Sequence, residues 1–147
     1  FANSKRFKLD TAIAYICALA VDLGVITNDD IKVNANTVTV PNIIIEKAKD
    51  YLNKYPAPIE MRANLISKLD MSNFNPSKKE RLNQVWDEQL LHLINQQICA
   101  EPIILVTSDK GMISAVDKAY PASASTTSEP FGKHIISLDE YLSYLGV

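Results

Sequence analysis

Four acids, Asp10, Glu46, Asp87 and Asp109, stand far apart in the chain and in settings that suit them to shared chemistry. Asp10 follows the apolar positions Phe7 and Leu9, and Asp109 ends the run ILVTSD. Each has an ordinary explanation as the N-cap of the helix that follows, because an aspartate oxygen accepts from the first free amides. Glu46 follows Ile43, Ile44 and Ile45, where a solvated glutamate is not expected, although an early acid also complements the helix dipole. Asp87 precedes Leu90, Leu91 and Ile94 by three, four and seven residues, which assigns it to the buried stripe of its helix. A carboxylate there needs a partner, either a Lys or Arg or a metal ion. Acids gathered at one point repel, and a divalent cation relieves that repulsion. Mg²⁺ or Mn²⁺ fits oxygen ligands, and such ions activate water and stabilise a phosphodiester oxyanion. This chemistry needs no His, Cys or Ser nucleophile. His92 and His134 are far apart in sequence and read as structural or surface residues.

The elements expected to position these acids follow from periodicity. Residues 6–11 read as a strand ending near Asp10, followed by a helix over 12–23 with Gly24 as its stop. Residues 25–36, rich in Asn and Asp, read as a loop, and 37–40 alternate as a brief strand. Pro41 opens a helix that Pro56 and Pro58 end, and a shorter helix covers 59–70. A long helix is expected from Ser77 to about Cys99, and the apolar run 103–107 reads as a strand buried on both faces. A helix over 109–120, a polar loop over 121–133, a strand over 134–136 and a helix boxed by Ser137 and Glu140 complete the pattern. Alternating strands and helices predict a single α/β domain over residues 1–147. Its expected architecture is a three-layer α/β/α sandwich on a central parallel sheet of four to five strands. Ligands of such sheets sit at the carboxyl ends of the strands, where Asp10 and Asp109 are expected.

Composition narrows the function further. The chain of 147 residues carries a formal charge of −2 and only four glycines. A glycine-rich phosphate loop of the G-x-x-x-x-G-K type is absent, and the balance of charge disfavours a protein that coats DNA. Cys17 and Cys99 make neither a disulfide framework nor a zinc cluster, which suits a cytoplasmic setting. Residues 5–20 have the basic start, apolar middle and Ala18-Leu19-Ala20 ending of a signal peptide, but Asp10 interrupts them and favours a domain element. No run reaches the roughly 18 apolar residues of a membrane span.

The segments RFKLDT, VTVPNIIIEKAKDYL, VWDEQLLHLI and IILVTSDKGM, with the closing HIISLDEYLSYL, together resemble PIN-domain ribonucleases, including the toxins of VapBC-type toxin–antitoxin pairs. No one motif is specific; the ordered set carries the likeness. The resemblance implies a PIN-like fold and a metal-dependent endoribonuclease acting on single-stranded or structured RNA. It also implies Mg²⁺ or Mn²⁺ bound by Asp10, Glu46, Asp87 and Asp109, with supporting hydroxyls from Thr11 and Thr107. An antitoxin partner and a homodimer belong to the same expectation. Glu88, in place of a small residue after the third acid, the 121–133 loop and the Asp- and Asn-rich 25–36 loop depart from the family pattern. Among the basic residues flanking the acids, Lys8, Lys49 and Lys110 are expected to hold phosphates, against the ordinary reading of solvated lysines. The alternative is an inactive PIN-like scaffold that binds RNA or protein. A receiver-like phospho-acceptor fits less well, since Lys133 precedes the final strand.

Overall fold

Ser4 decides how the chain starts. In the computed structural model, which describes residues 4–68, 79–94, 104–120 and 135–147, its side chain accepts from the Phe7 amide. The helix α1 that it caps runs without interruption over Lys5–Asp22. The expected strand over residues 6–11 therefore does not form. KRFKLD contains good helix formers and no β-branched residue, so nothing opposes extension of the helix back to its cap. Gly24 does stop it, with a positive φ of 69°.

A short 3₁₀ turn, Asn28–Asp30, follows, closed by a capping box between Thr27 and Asp30. The strands β1 (Lys32–Asn34) and β2 (Thr37–Thr39) then pair antiparallel, with Val33 opposite Val38. Both strands are exposed throughout. Helix α2 (Asn42–Lys54) comes next, as the Pro41 signal predicts. It packs on α1, burying Ile44 with Cys17, Ala20 and Ile26. The rings of Tyr15 and Tyr51, with centroids 5.1 Å apart, add to this contact.

The prolines at 56 and 58 start a helix as well as ending one. Helix α3 (Pro56–Lys68) takes both in its first turn, where a missing amide costs no helical hydrogen bond. Helix α4 (Lys79–Leu91), strand β3 (Leu105–Thr107), helix α5 (Lys110–Ala119), strand β4 (Ile135–Ser137) and helix α6 (Leu138–Leu145) follow. β3 and β4 pair in parallel, with Leu105 opposite Ile135 and Thr107 opposite Ser137. This β3–α5–β4 crossover is the part of the expected parallel sheet that forms. Its core gathers Ala57, Leu91, Ile94, Met112, Ala115 and Ile135. The box of Ser137 and Glu140 opens α6, as the sequence predicts.

A three-layer sandwich on a central parallel sheet of four to five strands is thus not the architecture. Among the described residues there are six helices and two sheets of two strands each. The first expected strand is helical and the second is half of an exposed antiparallel hairpin, so neither joins β3 and β4. The chain also divides into two compact units, Phe1–Lys54 and Tyr55–Val147. The loop expected over 121–133 lies outside the described residues, as do Cys99 and His134.

Candidate functional site

The four acids fall two to a unit. In the first unit, Asp10 lies inside α1 rather than at a strand end, and its carboxylate is 60% exposed. It faces Arg6 one turn earlier at 3.9 Å, a loose surface pair. Thr11 is buried, and its hydroxyl donates to the Phe7 carbonyl at 2.7 Å, the back-bond of a helical threonine. Glu46 lies on α2 and is exposed, because the buried face of that helix passes through Ile44 and Ala48. The apolar run before Glu46 therefore does not bury it. Lys8 is half-buried on α1, and Lys49 is exposed on α2.

In the second unit Asp87 lies within electrostatic reach of Asp109. Asp87 is half-buried on α4. Burial, and then the negative charge of Asp109, push its carboxyl above the usual carboxylate range. Asp109 is the N-cap of α5, and its Oδ1 accepts from the Met112 amide at 2.8 Å. Thr107, the last residue of β3, turns its Oγ1 onto the Asp109 amide, from which it accepts at 3.0 Å. The ordinary reading of Asp109 as a cap is therefore met, and the cap bond engages one of its two carboxylate oxygens. Asp109 does sit at a strand's carboxyl end, as expected. Gly111 allows this arrangement: a Cβ at that position would lie 3.0 Å from Asp109 Oδ1.

The buried acid of α4 is Glu88, the neighbour of Asp87, at 3% exposure. Arg62 of α3 grips it from two nitrogens: Nε donates to both carboxylate oxygens at 3.0 Å, and Nη2 donates to Oε1 at 2.7 Å. Either acid could precede Leu91 on the buried stripe. The presence of Arg62 selects Glu88 and leaves Asp87 half-buried. Sequence spacing alone contains no signal for that pair, whose members are 26 residues apart.

Beside the two aspartates, α3 and α5 enclose a cleft of about 430 Å³. Arg62 and Glu88 line it with Lys68, Lys110, Ser114 and Lys118. Of these, only Lys110 is among the basic residues the sequence singles out. Lys110 and Lys118 come to one side because eight residues make little more than two helical turns.

The donor set can be judged against a divalent cation. Among the described residues, no group of three or more His, Cys, Asp or Glu side chains is placed to hold a metal ion. Mg²⁺, however, is commonly held by one or two carboxylates, with waters and substrate phosphates completing its shell. Two hard-oxygen carboxylates, one of them, Asp87, raised in pKa by burial and then by the charge of the other, fit that demand. His92 is engaged elsewhere: its Nδ1 lies 3.1 Å from the Glu88 carbonyl, and its ring packs at a tilt against Tyr55, with centroids 5.2 Å apart. Cys17 is a buried free thiol. Among the described residues no helix is long and apolar enough to cross a membrane. No protein-family model, curated protein or solved structure matches the chain.

Proposed function

We propose that this protein is a divalent-metal-dependent endoribonuclease that hydrolyses RNA phosphodiesters, with Asp87 and Asp109 as the acids that hold Mg²⁺ or Mn²⁺. The observation that carries the reading is the Asp87 carboxyl, held above its usual range by burial and by the charge of Asp109, with Glu88 and Lys110, the next residues after the two acids, lining a basic cleft. A bound cation would neutralise the pair and supply an activated water for attack on phosphorus. Asp109 is presented by its bond to the Met112 amide, and Thr107 fixes the backbone behind it. Lys110, the first residue of α5, adds a cation next to the scissile phosphate in this reading. The motifs that resemble PIN-domain ribonucleases point the same way, while of the sheet they implied only the parallel β3–β4 pair forms among the described residues. An antitoxin partner and a homodimer rest on that resemblance alone.

The test is cleavage of a single-stranded RNA by the purified chain with Mn²⁺ or Mg²⁺. Asp87→Asn and Asp109→Asn should each lower the rate at least a hundredfold while the circular dichroism spectrum is preserved, because Asn also caps a helix well. Wild-type rates in both variants, or equal cleavage in excess chelator, would overturn the proposal.

A further inference from the structure

We infer that the cleft between α3 and α5 binds the phosphate backbone of single-stranded RNA. The inference rests on the ribonuclease reading for its choice of RNA among polyanions. The charge balance of the cleft is one-sided. Its acid, Glu88, is fully engaged by Arg62, so the pair is neutral and rigid. Lys68, Lys110 and Lys118 remain, and among the described residues no carboxylate pairs with any of them. Three uncompensated cations around one concave surface concentrate a polyanion there.

The dimensions suit a strand. Lys110 and Lys118 are eight residues apart on one helix, a rise of about 12 Å at ~1.5 Å per residue. That span covers three to four phosphates at the roughly 3.4 Å rise of a stacked strand. Met61 and Leu65 contribute apolar wall between the lysines, against which a base or sugar can lie. Ser114 adds a hydroxyl on the same side. The cleft also adjoins the acids: Glu88 follows Asp87, Lys110 follows Asp109, and Gly111 lines the cleft where a Cβ would lie 3.0 Å from Asp109 Oδ1. Those aspartates would repel an acidic peptide lying in the cleft. A phosphate can share a divalent cation with them, so the neighbourhood favours nucleic acid over an acidic protein partner.

The experiment measures binding apart from cleavage. The full chain is titrated into a fluorescein-labelled single-stranded RNA in excess chelator, and anisotropy is read across about 50 to 200 mM KCl. Three phosphate contacts predict a slope of log K against log salt near −2, at roughly −0.7 per contact on a single strand. Lys68→Ala/Lys118→Ala should reduce the slope to about −0.7 and weaken binding roughly twentyfold near 0.1 M salt. Both lysines are solvent-exposed, so melting temperatures should match wild type. Unchanged affinity and slope in the double variant would overturn the assignment. So would a poly-glutamate peptide that binds more tightly than RNA and loses its binding in the same variant, since the cleft would then be a protein-docking surface. If wild type binds RNA with the expected slope but never cuts it, the ribonuclease reading fails while the cleft assignment stands.

Discussion

Asp109 lies close enough to Asp87 for its charge, added to the effect of burial, to hold the Asp87 carboxyl above its usual pKa. Two acids arranged in this way are a cost to the folded chain at neutral pH. The native state keeps the Asp87 proton to a higher pH than the unfolded chain does. Asp87 therefore contributes stability that is present below 3.8 and lost as pH rises through its native pKa. Removing its charge should stabilise the protein where the carboxylate is ionised.

Thermal melts of Asp87→Asn test this directly. The variant should melt above wild type at pH 7, and the gap should close as pH falls towards the ordinary aspartate range. An acid that served the fold through a salt bridge would behave in the opposite way, its removal lowering the melting temperature most at neutral pH. A stabilised Asp87→Asn variant would mean that the chain tolerates Asp87 for its function, as active sites commonly do.

A divalent cation should reverse the same cost. Adding Mn²⁺ or Mg²⁺ at pH 7 should raise the wild-type melting temperature, by about 2.7 kcal/mol of stability at a hundredfold excess over the dissociation constant. Trp86 is the single tryptophan, is 69% exposed and precedes Asp87, so quenching by paramagnetic Mn²⁺ offers a second readout. Asp87→Asn and Asp109→Asn should lose both effects. Equal stabilisation of wild type and variants would place the ion elsewhere.

The grip of Arg62 on Glu88 should be the most sensitive polar contact of the second unit. Arg62→Met leaves the Glu88 carboxylate buried without a counter-charge, at a cost of about 3–5 kcal/mol. Arg62→Met/Glu88→Leu should recover most of that, because a packed apolar pair often replaces a buried ion pair at little cost. Urea midpoints of the three proteins close the cycle. If the single variant unfolds at the wild-type midpoint, the pair does not organise the floor of the cleft.

Local signals in the sequence were readable wherever a structural decision was made locally. The Gly24 stop, the helix opened after Pro41, the box of Ser137 and Glu140, and Asp109 as a cap at a strand end all depend on a few neighbouring residues. The α/β sheet was not, because strand pairing is a long-range decision. Residues 6–11 alternate weakly, yet Ser4 upstream supplies a cap and the helix extends through them. Residues 32–34 have the polar composition of a loop, yet they pair with 37–39 across a two-residue turn into a hairpin instead of entering a parallel sheet. The choice between Asp87 and Glu88 as the buried acid depended on Arg62, which no periodicity could supply. Lys68 and Lys118 carry no signal in the sequence for the same reason: they gain meaning only when α3 meets α5.

Thr107 gives the most discriminating variant of the candidate site, since it touches Asp109 through the backbone and not through the carboxylate. Its Oγ1 accepts from the Asp109 amide at 3.0 Å, which orients the residue whose side chain then caps α5. Thr107→Val keeps the β-branched shape that suits β3 and removes the acceptor. Thr107→Ser keeps the acceptor and removes the methyl group. A merely structural role predicts that the two variants track melting temperature, with Ser no better than Val in a strand. A positioning role predicts that Val weakens Mn²⁺ binding about tenfold, in the range for residues that orient metal ligands, and that Ser restores it. Isothermal titration of Mn²⁺ alongside melts separates the two: the decisive result is Mn²⁺ affinity that follows the hydroxyl while stability does not.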